Sequence, residues 1–228
     1  MIFYVGDIHG SVDDVAAIDR AANEAGVDIV VQVGDFGIHW TKDCAILKYF
    51  KKRERQGRPG PKWYTCGGNH DNWDVWQGLQ ESQGSKIVEL GPGCFYVVRG
   101  AVADLDGKTH IFFGGAESTD KHMRREGVTW WATESPNREE FDTFFENMET
   151  LKPEIVVTHD APLSVEIARL NRDFNSTPKN LQNVLDYCGY TPVRWYFGHH
   201  HVMQNWKVDG VEFCCCGLHG QYVSSEEE

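Results

Sequence analysis

Five short segments of the chain bring together the side-chain types that bind divalent metal ions. They are Gly-Asp-Ile-His-Gly at 6–10, Gly-Asp-Phe-Gly at 34–37, Gly-Gly-Asn-His-Asp at 67–71, Thr-His-Asp at 158–160 and Gly-His-His-His at 198–201. Carboxylate, amide and imidazole groups together suit ions such as Mn, Fe, Zn and Co better than Ca or Mg. Two such ions about 3.5 to 4 Å apart can neutralise a phosphoryl group and activate a water molecule. The segments therefore predict a two-metal site for phosphate ester hydrolysis.

Each segment follows a run of residues with strand character, at 2–5, 28–33, 62–66, 154–157 and 193–197. Open α/β sheets place their functional sites at the carboxyl ends of such strands. Taken singly, Asp7 could cap a helix, Asp35 could form an Asx turn and Asn69 could supply a left-handed turn residue. These alternatives would have to coincide at five strand ends, so the combined pattern favours a metal site.

The order of the five segments resembles the calcineurin-like metallophosphoesterase superfamily, and the resemblance extends from Asp7 to His201. It implies an α/β protein with two mixed sheets in a four-layer α/β/β/α sandwich, the metallo-dependent phosphatase fold. It also implies two divalent metal ions, for which we expect Mn, with Fe, Zn or Co as alternatives. By this resemblance one ion is held by Asp7, His9 and His201, the other by Asn69, His159 and His199, and Asp35 bridges both.

His70 directly follows a predicted ligand, so its ring can lie beside the metal pair without joining it. We expect His70 to be catalytic, either as the general acid toward the leaving oxygen or as a donor that orients the phosphate. His200 lies between two predicted ligands, and a structural role is favoured for it. Asp71 and Asp160 each follow a site residue, and each could orient an imidazole or cap a turn.

The segment at 34–40 separates this chain from some members of the superfamily. Serine/threonine protein phosphatases carry Gly-Asp-x-Val-Asp-Arg-Gly there, whereas Ile38 replaces the acid and His39 replaces the phosphate-binding arginine here. The chain looks closer to small Gly-Asp-Phe-Gly metallophosphatases of bacteria and phages, among whose relatives phosphodiesterases acting on cyclic nucleotides are common. A phosphodiester carries less charge than a monoester, so it depends less on an arginine clamp.

We therefore predict a phosphodiesterase that acts on small nucleotides by metal-activated hydroxide, with 2′,3′-cyclic nucleotides as candidate substrates. A phosphomonoesterase resembling protein phosphatases and a Mn-dependent nuclease are the alternatives. A non-catalytic metal-bound module is disfavoured, because a scaffold does not need His70 beside an open metal pair.

A long irregular segment at 114–135 is a candidate for substrate contacts, since loops of this length are usually functional or disordered. Arg124 and Arg125 could bind phosphate, and Trp130 or Trp131 could stack on a base. Packing of the paired tryptophans against the sandwich is an equal alternative. With two further positions, the predicted substrate-binding residues are His39, Asp120, Arg124, Arg125 and Trp130.

Two of the positions near the predicted site have open roles. Asp120 could replace the missing acid opposite His70. His219 could border the pocket or lie in a surface turn.

Periodicity and turn residues predict the elements that position these segments. Helices are expected at 12–25, which Ser11 caps and Gly26 ends, at 43–56 and at 73–80. A further helix is expected to begin with Ser135 as its cap and Pro136 in its first turn. Short strands at 86–89, 94–98, 102–105 and 109–113 are expected to form a second sheet. Asp106-Gly107 and Asp209-Gly210 are hairpin turn signals.

The 228 residues are 41% hydrophobic and suit a single domain at 1–223 with an acidic tail at 224–228. The net charge of −12 disfavours stable nucleic-acid binding and favours a small phosphorylated partner, such as a nucleotide. No run approaches the about 18 apolar residues of a membrane span, and no export signal is recognised, so a cytoplasmic location is expected. The oligomeric state is not predicted.

The seven cysteines are expected to be reduced and mostly structural. A zinc site at the run 214–216 is the alternative, but the chain lacks a Cys-x-x-Cys pair.

Overall fold

The computed structural model describes residues 1–40, 43–167, 172 and 175–225. Its strands are β1 (Ile2–Val5), β2 (Ile29–Gln32), β3 (Lys62–Thr65), β4 (Ile87–Gly91), β5 (Cys94–Val97), β6 (Val102–Leu105), β7 (Lys108–Phe113), β8 (Ile155–Thr158), β9 (Arg194–Phe197), β10 (Met203–Val208), β11 (Val211–Cys216) and β12 (Tyr222–Ser224). Its α-helices are α1 (Val12–Ala25), α2 (Ala45–Arg55), α3 (Trp73–Gln83), α4 (Arg138–Leu151) and α5 (Ser176–Tyr187). Two short 3-10 helices lie at Lys121–Met123 and Ala132–Glu134.

The strands form two mixed six-stranded sheets, as predicted. The first has the order β12-β1-β2-β3-β5-β4, in which β1, β2, β3 and β5 are parallel and both edge strands are antiparallel. The second has the order β10-β11-β9-β8-β7-β6, with β11, β9, β8 and β7 parallel and antiparallel strands again at both edges.

The assignment of all four strands between 86 and 113 to the second sheet was wrong. Only β6 and β7 belong there, whereas β4 and β5 complete the first sheet, because β5 pairs in parallel with β3 and β4 folds back against β5. The chain crosses between the sheets at Val98–Ala101, where Ala101 N donates to Val98 O over 2.8 Å.

Side chains of the second sheet alternate between two cores, which gives the four layers. Phe112, Val157 and Tyr196 pack in the core shared with the first sheet. Their neighbours Phe113 and Val156 pack outward. The outer core also contains residues of α4 and α5, among them Phe141, Phe144, Met148, Leu181 and Val184. This period of two, with helices covering the outer faces, confirms the predicted α/β/β/α sandwich.

The cysteine run follows the same alternation. Cys214 and Cys216 lie in the inner core, and Cys215 lies in the outer one. All seven cysteines are free thiols, and six of them are buried. The run is therefore part of the packing of β11, and its thiols are divided between opposite faces of the sheet.

The N-terminal caps of α1 and α4 can be compared with the caps predicted from the sequence. α1 begins as predicted, because Ser11 Oγ accepts a hydrogen bond from Asp14 N over 3.3 Å. For α4, the prediction of Ser135 as the cap and Pro136 in the first turn was wrong. Asn137 is the cap, since its side chain accepts from Glu140 N over 3.0 Å and Glu140 accepts from Asn137 N over 2.7 Å. This reciprocal capping box satisfies two free backbone donors and places the cap two residues after Ser135, the predicted cap.

At the carboxyl end, β12 reaches Ser224, one residue beyond the predicted domain boundary. Ser225 Oγ accepts from Ile2 N over 3.0 Å. Residues 226–228 of the predicted acidic tail lie outside the described residues. No helix in the described ranges combines the length and apolar character needed to cross a bilayer.

A buried histidine lies between the two sheets. His110 of β7 is fully buried, and its Nε2 atom lies 2.7 Å from the hydroxyl of Tyr4. Its Nδ1 atom lies 2.9 Å from Lys108 O, so a neutral ring that donates from Nδ1 and accepts at Nε2 satisfies both contacts. The Tyr4 ring stacks on Tyr196 with a centroid distance of 3.5 Å. Burial lowers the pKa of His110 to about 4.

Because His110 is buried in its neutral form, we expect the protein to lose stability at acid pH. Because the pKa of His110 falls from 6.5 in the unfolded chain to about 4 in the fold, the unfolded chain binds more protons between these values. The contribution of neutral His110 to the free energy of unfolding is complete above pH 6.5. It falls by up to about 3 kcal/mol as the pH decreases toward 4. Urea unfolding of metal-free protein at several pH values measures it.

The control for that measurement is the double variant Tyr4→Phe/His110→Leu, which removes both hydrogen-bond partners together. We expect it to flatten the acid decline of the unfolding free energy, because metal-site histidines contribute equally in both proteins. An identical pH slope in the two proteins would contradict the role of His110.

Candidate metal centre

The loops that follow β1, β2, β3, β8 and β9 meet at one edge of the sandwich, as the sequence predicted. Hydrogen bonds from side chain to backbone connect them. Asp7 Oδ1 accepts from His199 N over 3.1 Å, so the loop after β1 is joined to the loop after β9. Asp35 Oδ1 accepts from His70 N over 2.7 Å and joins the loops after β2 and β3. The carboxylates thus both organise the loops and face the site.

Several of the predicted ligands lie in left-handed backbone conformations. The φ angles are 47° at His9, 56° at Asp35, 64° at His199 and 55° at His201. Such conformations are uncommon outside glycine and cost of order 1 kcal/mol each. Their concentration here shows that the surrounding loops impose the direction of these side chains. Gly68 permits this crowding, since a Cβ atom there would lie 2.2 Å from Asp35 Oδ1.

One group of ligand atoms gathers around Asp7. Its Oδ2 atom lies 3.0 Å from His201 Nε2 and 3.8 Å from His9 Nε2. The two imidazole nitrogens lie 3.2 Å from each other. Asp35 Oδ2 lies 4.0 Å from His9 Nε2, at the boundary of this group. The arrangement brings together the three residues predicted for the first ion.

A second group gathers around His159. Its Nε2 atom lies 3.0 Å from Asn69 Oδ1 and 3.5 Å from Asp35 Oδ1. The ring of His199 packs against it with a centroid distance of 5.0 Å. His159 Nδ1 lies 2.9 Å from Val33 O, which favours a proton on Nδ1 and leaves Nε2 free to act as a ligand. Asp35 therefore contributes one carboxylate oxygen to each group.

The donor set fits cations. Asp7 Oδ2 is buried and has no hydrogen bond of good geometry from the described residues, and its near polar neighbour is Nε2 of His201 at 3.0 Å, whose pKa it raises. A buried carboxylate oxygen without a donor is costly, and a bound cation removes that cost. Clusters with ligand spacing are formed by Asp7, His9 and His201, by His9, Asp35 and His70, and by Asp7, Asp35 and His159.

The charges of the site point the same way. Burial alone would raise the pKa of Asp35, but His159, His70 and His9 hold it well below its usual range. Burial alone would lower the pKa of His159, but Asp35 and Asp7 raise it to about 10. The two buried carboxylates thus require positive charge, which a bound divalent cation or a protonated imidazole can supply. Burial lowers the pKa of His199 to about 4, which favours the neutral form that binds metals.

His70 lies at the edge of this cluster and contacts Arg124. Its Nε2 atom lies 3.9 Å from Asp35 Oδ2 and 2.9 Å from Arg124 Nη2, and its Nδ1 atom lies 2.6 Å from Arg124 Nη1. A neutral imidazole has one acceptor, so only one of the two contacts with the guanidinium is a hydrogen bond. Burial lowers the pKa of His70; Asp35 opposes this, and Arg124 adds to it.

A cleft of about 400 Å³ opens beside the cluster. Its wall includes Asp35, Asn69, His70, Asp120 and Arg124. The cleft is therefore lined by some of the predicted ligands and by two of the predicted substrate-binding residues, Asp120 and Arg124.

The sequence profile of the calcineurin-like phosphoesterase family matches residues 1–203. The chain belongs to this family. The family depends on a dinuclear metal centre, and membership implies a hydrolase that acts on phosphate esters. No curated protein matches the sequence of this phosphoesterase.

Solved structures share the fold at low sequence identity. TT1561 of Thermus thermophilus has a TM-score of 0.60 and 13% identity, covering 96% of this chain and 89% of that one. The phosphopantetheinyl hydrolase of Mycobacterium tuberculosis has a TM-score of 0.53 and 15% identity, with coverages of 95% and 89%. GAP50 of Plasmodium, described as the anchor in the inner membrane complex, has a TM-score of 0.57 and 13% identity, with coverages of 95% and 70%. These identities show the fold alone.

The predicted substrate-binding residues do not all lie at the metal cluster. Arg124 lies in the site, and Asp120 lies beside it, with Asp120 Oδ2 2.8 Å from Arg124 Nη2. The partner of Asp120 is thus Arg124 rather than His70. His39 lies away from the cluster, where its Nε2 atom is 2.9 Å from Leu90 O.

The other candidates lie on the turn after Arg124. Arg125 is exposed, and its carbonyl accepts from the amides of Val128, Thr129 and Trp130. Trp130 is half-buried, whereas Trp131 is 4% exposed and packs in the inner core. Trp131 therefore packs in the core, and it also lines a cavity beside His70 and Arg124.

The acids that follow the ligands have separate roles. Asp71 accepts from Gly37 N and Gly68 N, both over 2.8 Å, so it joins backbone loops rather than orienting an imidazole. Burial, with the nearby Asp35, raises the pKa of Asp71 to about 7.

Asp160, in contrast, does contact an imidazole. Its Oδ1 atom lies 2.9 Å from His200 Nε2 and 2.8 Å from Arg172 Nη2. This buried network supports the structural role predicted for His200. His219 is exposed, with Nδ1 3.5 Å from Asp14 Oδ2, which supports the surface-turn alternative.

Sequence reasoning missed two residues that orient a predicted ligand. Asn69 Nδ2 donates to Ser118 Oγ over 3.0 Å, and Ser118 Oγ donates to Glu134 Oε2 over 2.7 Å. Ser118 N donates to Glu134 Oε1 over 2.7 Å. Because the amide nitrogen of Asn69 is bound to Ser118, its oxygen faces His159. The only sequence signal was the length of the segment that carries Ser118 and Glu134.

We expect Ser118→Ala to weaken metal binding while leaving the fold intact. The change frees the Asn69 amide to rotate, and loss of such an outer partner typically reduces metal affinity about 10- to 100-fold. Calorimetric titration with Mn²⁺ measures the change. Ser82→Ala, at an exposed serine of α3, is the matched control. Equal affinities for Ser118→Ala and wild type would show that Ser118 does not orient Asn69.

Proposed function

We propose that this chain is a dinuclear-metal-dependent phosphodiesterase that acts on small nucleotides, with 2′,3′-cyclic nucleotides as candidate substrates. The observation that carries the proposal is the position of Asp35. Its two carboxylate oxygens face the two ligand groups, one near His159 and the other near His9. A bridging carboxylate between two such groups is what a two-metal hydrolytic site requires.

The proposed ligands follow from the two groups. Asp7, His9 and His201 would hold one ion, Asn69, His159 and His199 the other, and Asp35 both. The mixture of carboxylates, an amide and imidazoles supports Mn, with Fe, Zn or Co as alternatives. When bound, the two ions would neutralise charge on the phosphoryl oxygens and activate a water molecule.

His70 and Arg124 would act on the substrate from the wall of the cleft. His70 would donate to the leaving oxygen or to a phosphoryl oxygen. Its contacts with Arg124 favour the neutral ring, which supports the orienting role more than that of general acid. Arg124 would bind a phosphoryl oxygen as a hydrogen-bond donor.

The charge around Arg124 supports a diester. The guanidinium is partly neutralised by Asp120 at 2.8 Å, so it attracts a dianionic monoester less than a free arginine would. Free thiols at all seven cysteines support a reducing location, which we propose to be the cytoplasm.

A phosphomonoesterase is the second candidate, and Arg124 is also the observation that favours it. The sequence lacks the phosphate-binding arginine at position 39, but Arg124 from another loop lies beside His70. A monoester phosphate in the cleft could use it.

Hydrolysis of bis-(p-nitrophenyl) phosphate and of p-nitrophenyl phosphate, each with added Mn²⁺, distinguishes the two candidates. We expect a higher kcat/KM for the diester. In His70→Ala we expect both rates to fall by about 100-fold, within the range for loss of one preorganised hydrogen-bond donor to the reacting group. A higher kcat/KM for the monoester would select the phosphomonoesterase, and no Mn-dependent hydrolysis of either would refute both.

A further inference from the structure

A second cavity adjoins the metal cleft. It has a volume of about 410 Å³ and is lined by Trp40, His70, Arg124, Val128, Thr129 and Trp131. His70 and Arg124 also line the metal cleft. Since the two spaces share these side chains, one molecule can place its phosphate against His70 and Arg124 and another part in the second cavity.

Two tryptophans form the apolar wall of this second cavity. The indole nitrogen of Trp40 donates to His70 O. A Cβ atom on Gly10 would lie 3.5 Å from the Trp40 ring, so the ring packs directly over the loop after β1. Trp131 is 4% exposed and belongs to the inner core. Both rings are thus held in place before any ligand arrives, which lowers the entropic cost of binding.

The charge distribution separates the two spaces. The ionisable side chains in the second cavity are His70 and Arg124, which both lie at the junction with the metal cleft. Thr129 Oγ1 already accepts from Arg125 N over 3.0 Å. Val128 is 50% exposed and adds apolar surface. The anionic part of a ligand therefore belongs at the junction, and an uncharged part belongs in the cavity.

We infer that the second cavity binds a planar, uncharged aromatic group of the substrate, such as a nucleobase, against Trp40 and Trp131. Indole rings and a guanidinium group both stack on the faces of aromatic rings. The inference rests on the proposed function and narrows the class of substrate to esters with an aromatic group. It assigns this preference to Trp40, a residue outside the metal centre.

Three phosphonates test this preference without hydrolysis. Methylphosphonate occupies the phosphate position alone, and cyclohexylmethylphosphonate and benzylphosphonate add rings of similar size, of which only the second is planar. We expect calorimetry on the Mn-loaded protein to show that benzylphosphonate binds about tenfold more tightly than cyclohexylmethylphosphonate. Equal affinities of the two ring compounds in the wild-type protein would overturn the inference.

Two variants locate the effect. Trp40→Leu and Trp40→Phe both remove the indole donor to His70 O, but only Trp40→Leu removes the aromatic ring. The benzyl preference, taken as a ratio of affinities, is expected to disappear in Trp40→Leu and to persist in Trp40→Phe. Its persistence in Trp40→Leu would overturn the assignment. Failure of the proposed function is separate, because it shows as absent Mn-dependent hydrolysis of bis-(p-nitrophenyl) phosphate whatever the order of phosphonate affinities.

Discussion

Asp35→Asn is expected to abolish the binding of one of two Mn²⁺ ions and to lower kcat/KM for phosphodiesters by at least about 1,000-fold. Asp35 is fully buried and supplies an oxygen to each ligand group. Replacing its carboxylate by an amide removes the negative charge that the two cations would share. A metal ion contributes several kcal/mol of charge stabilisation in the transition state, and each 1.36 kcal/mol corresponds to tenfold in rate.

The substitution to asparagine is chosen because it preserves the backbone. Asp35 has a φ angle of 56°, which asparagine tolerates as well as aspartate does. The remaining carbonyl oxygen of the side chain can still accept from His70 N, as Asp35 Oδ1 does over 2.7 Å. The variant therefore changes charge without removing the contact that joins the loops after β2 and β3.

Metal content after gel filtration and calorimetric titration with Mn²⁺ provide the measurement. Asp209→Asn is the matched control, because Asp209 is an exposed aspartate with a φ angle of 50° in the β10–β11 hairpin. We expect this control to bind two ions and to keep wild-type activity. Two bound ions in Asp35→Asn, with activity within about tenfold of wild type, would show that Asp35 does not bridge the metals.

The meeting of the predicted ligands at one edge of the sandwich was predictable because the signal for their positions is local. Asp7, Asp35 and His159 each lie within three residues of the end of a strand, and parallel strands bring their carboxyl ends to one edge of a sheet. The sheet to which a strand belongs is not a local property. β4 and β5 carry ordinary strand patterns, and only the pairing of β5 with β3, and of β4 with β5, places them in the first sheet.

The substrate side of the site shows the same limit. His39 occupies the sequence position of the missing arginine, but its ring contacts Leu90 O. The arginine that reaches His70 is Arg124, from a segment 54 residues farther along the chain than His70. Likewise, Asn69 is oriented by Ser118, at a separation of 49 residues. Contacts between loops that are distant in sequence do not occur at a fixed separation, so no sequence motif predicts them.

The segment that supplies Arg124 and Ser118 is held at both ends by Arg99. This side chain is 2% exposed. Its Nε atom donates to Gly114 O over 2.9 Å, and its Nη2 atom donates to Thr133 O and Glu134 O over 2.9 and 2.8 Å. Its Nη1 atom contacts both carboxylate oxygens of Glu140, at 3.1 and 3.0 Å. The guanidinium carbon also lies 3.8 Å from the centre of the Trp73 ring.

Arg99→Met is therefore expected to lower the free energy of unfolding by about 3 kcal/mol, because it removes a half-buried ion pair and leaves buried carbonyls without a charged donor. The change leaves three backbone carbonyls without this donor and removes the pair with Glu140, whose side chain also accepts from Asn137 N in the cap of α4. Urea unfolding of the metal-free protein measures the loss. Arg138→Met is the matched control, since Arg138 is 93% exposed in its pair with Asp142, and we expect a change below about 1 kcal/mol.

Arg99→Lys separates charge from geometry in the same experiment. Lysine keeps the positive charge but cannot reproduce the planar donors that reach Gly114 O, Thr133 O and Glu134 O together. Because Glu134 holds Ser118, and Ser118 holds Asn69, we expect Arg99→Lys to weaken Mn²⁺ binding as well as to reduce stability. A loss of stability with unchanged Mn²⁺ affinity would show that the clamp at Arg99 supports the fold but does not act on the metal centre.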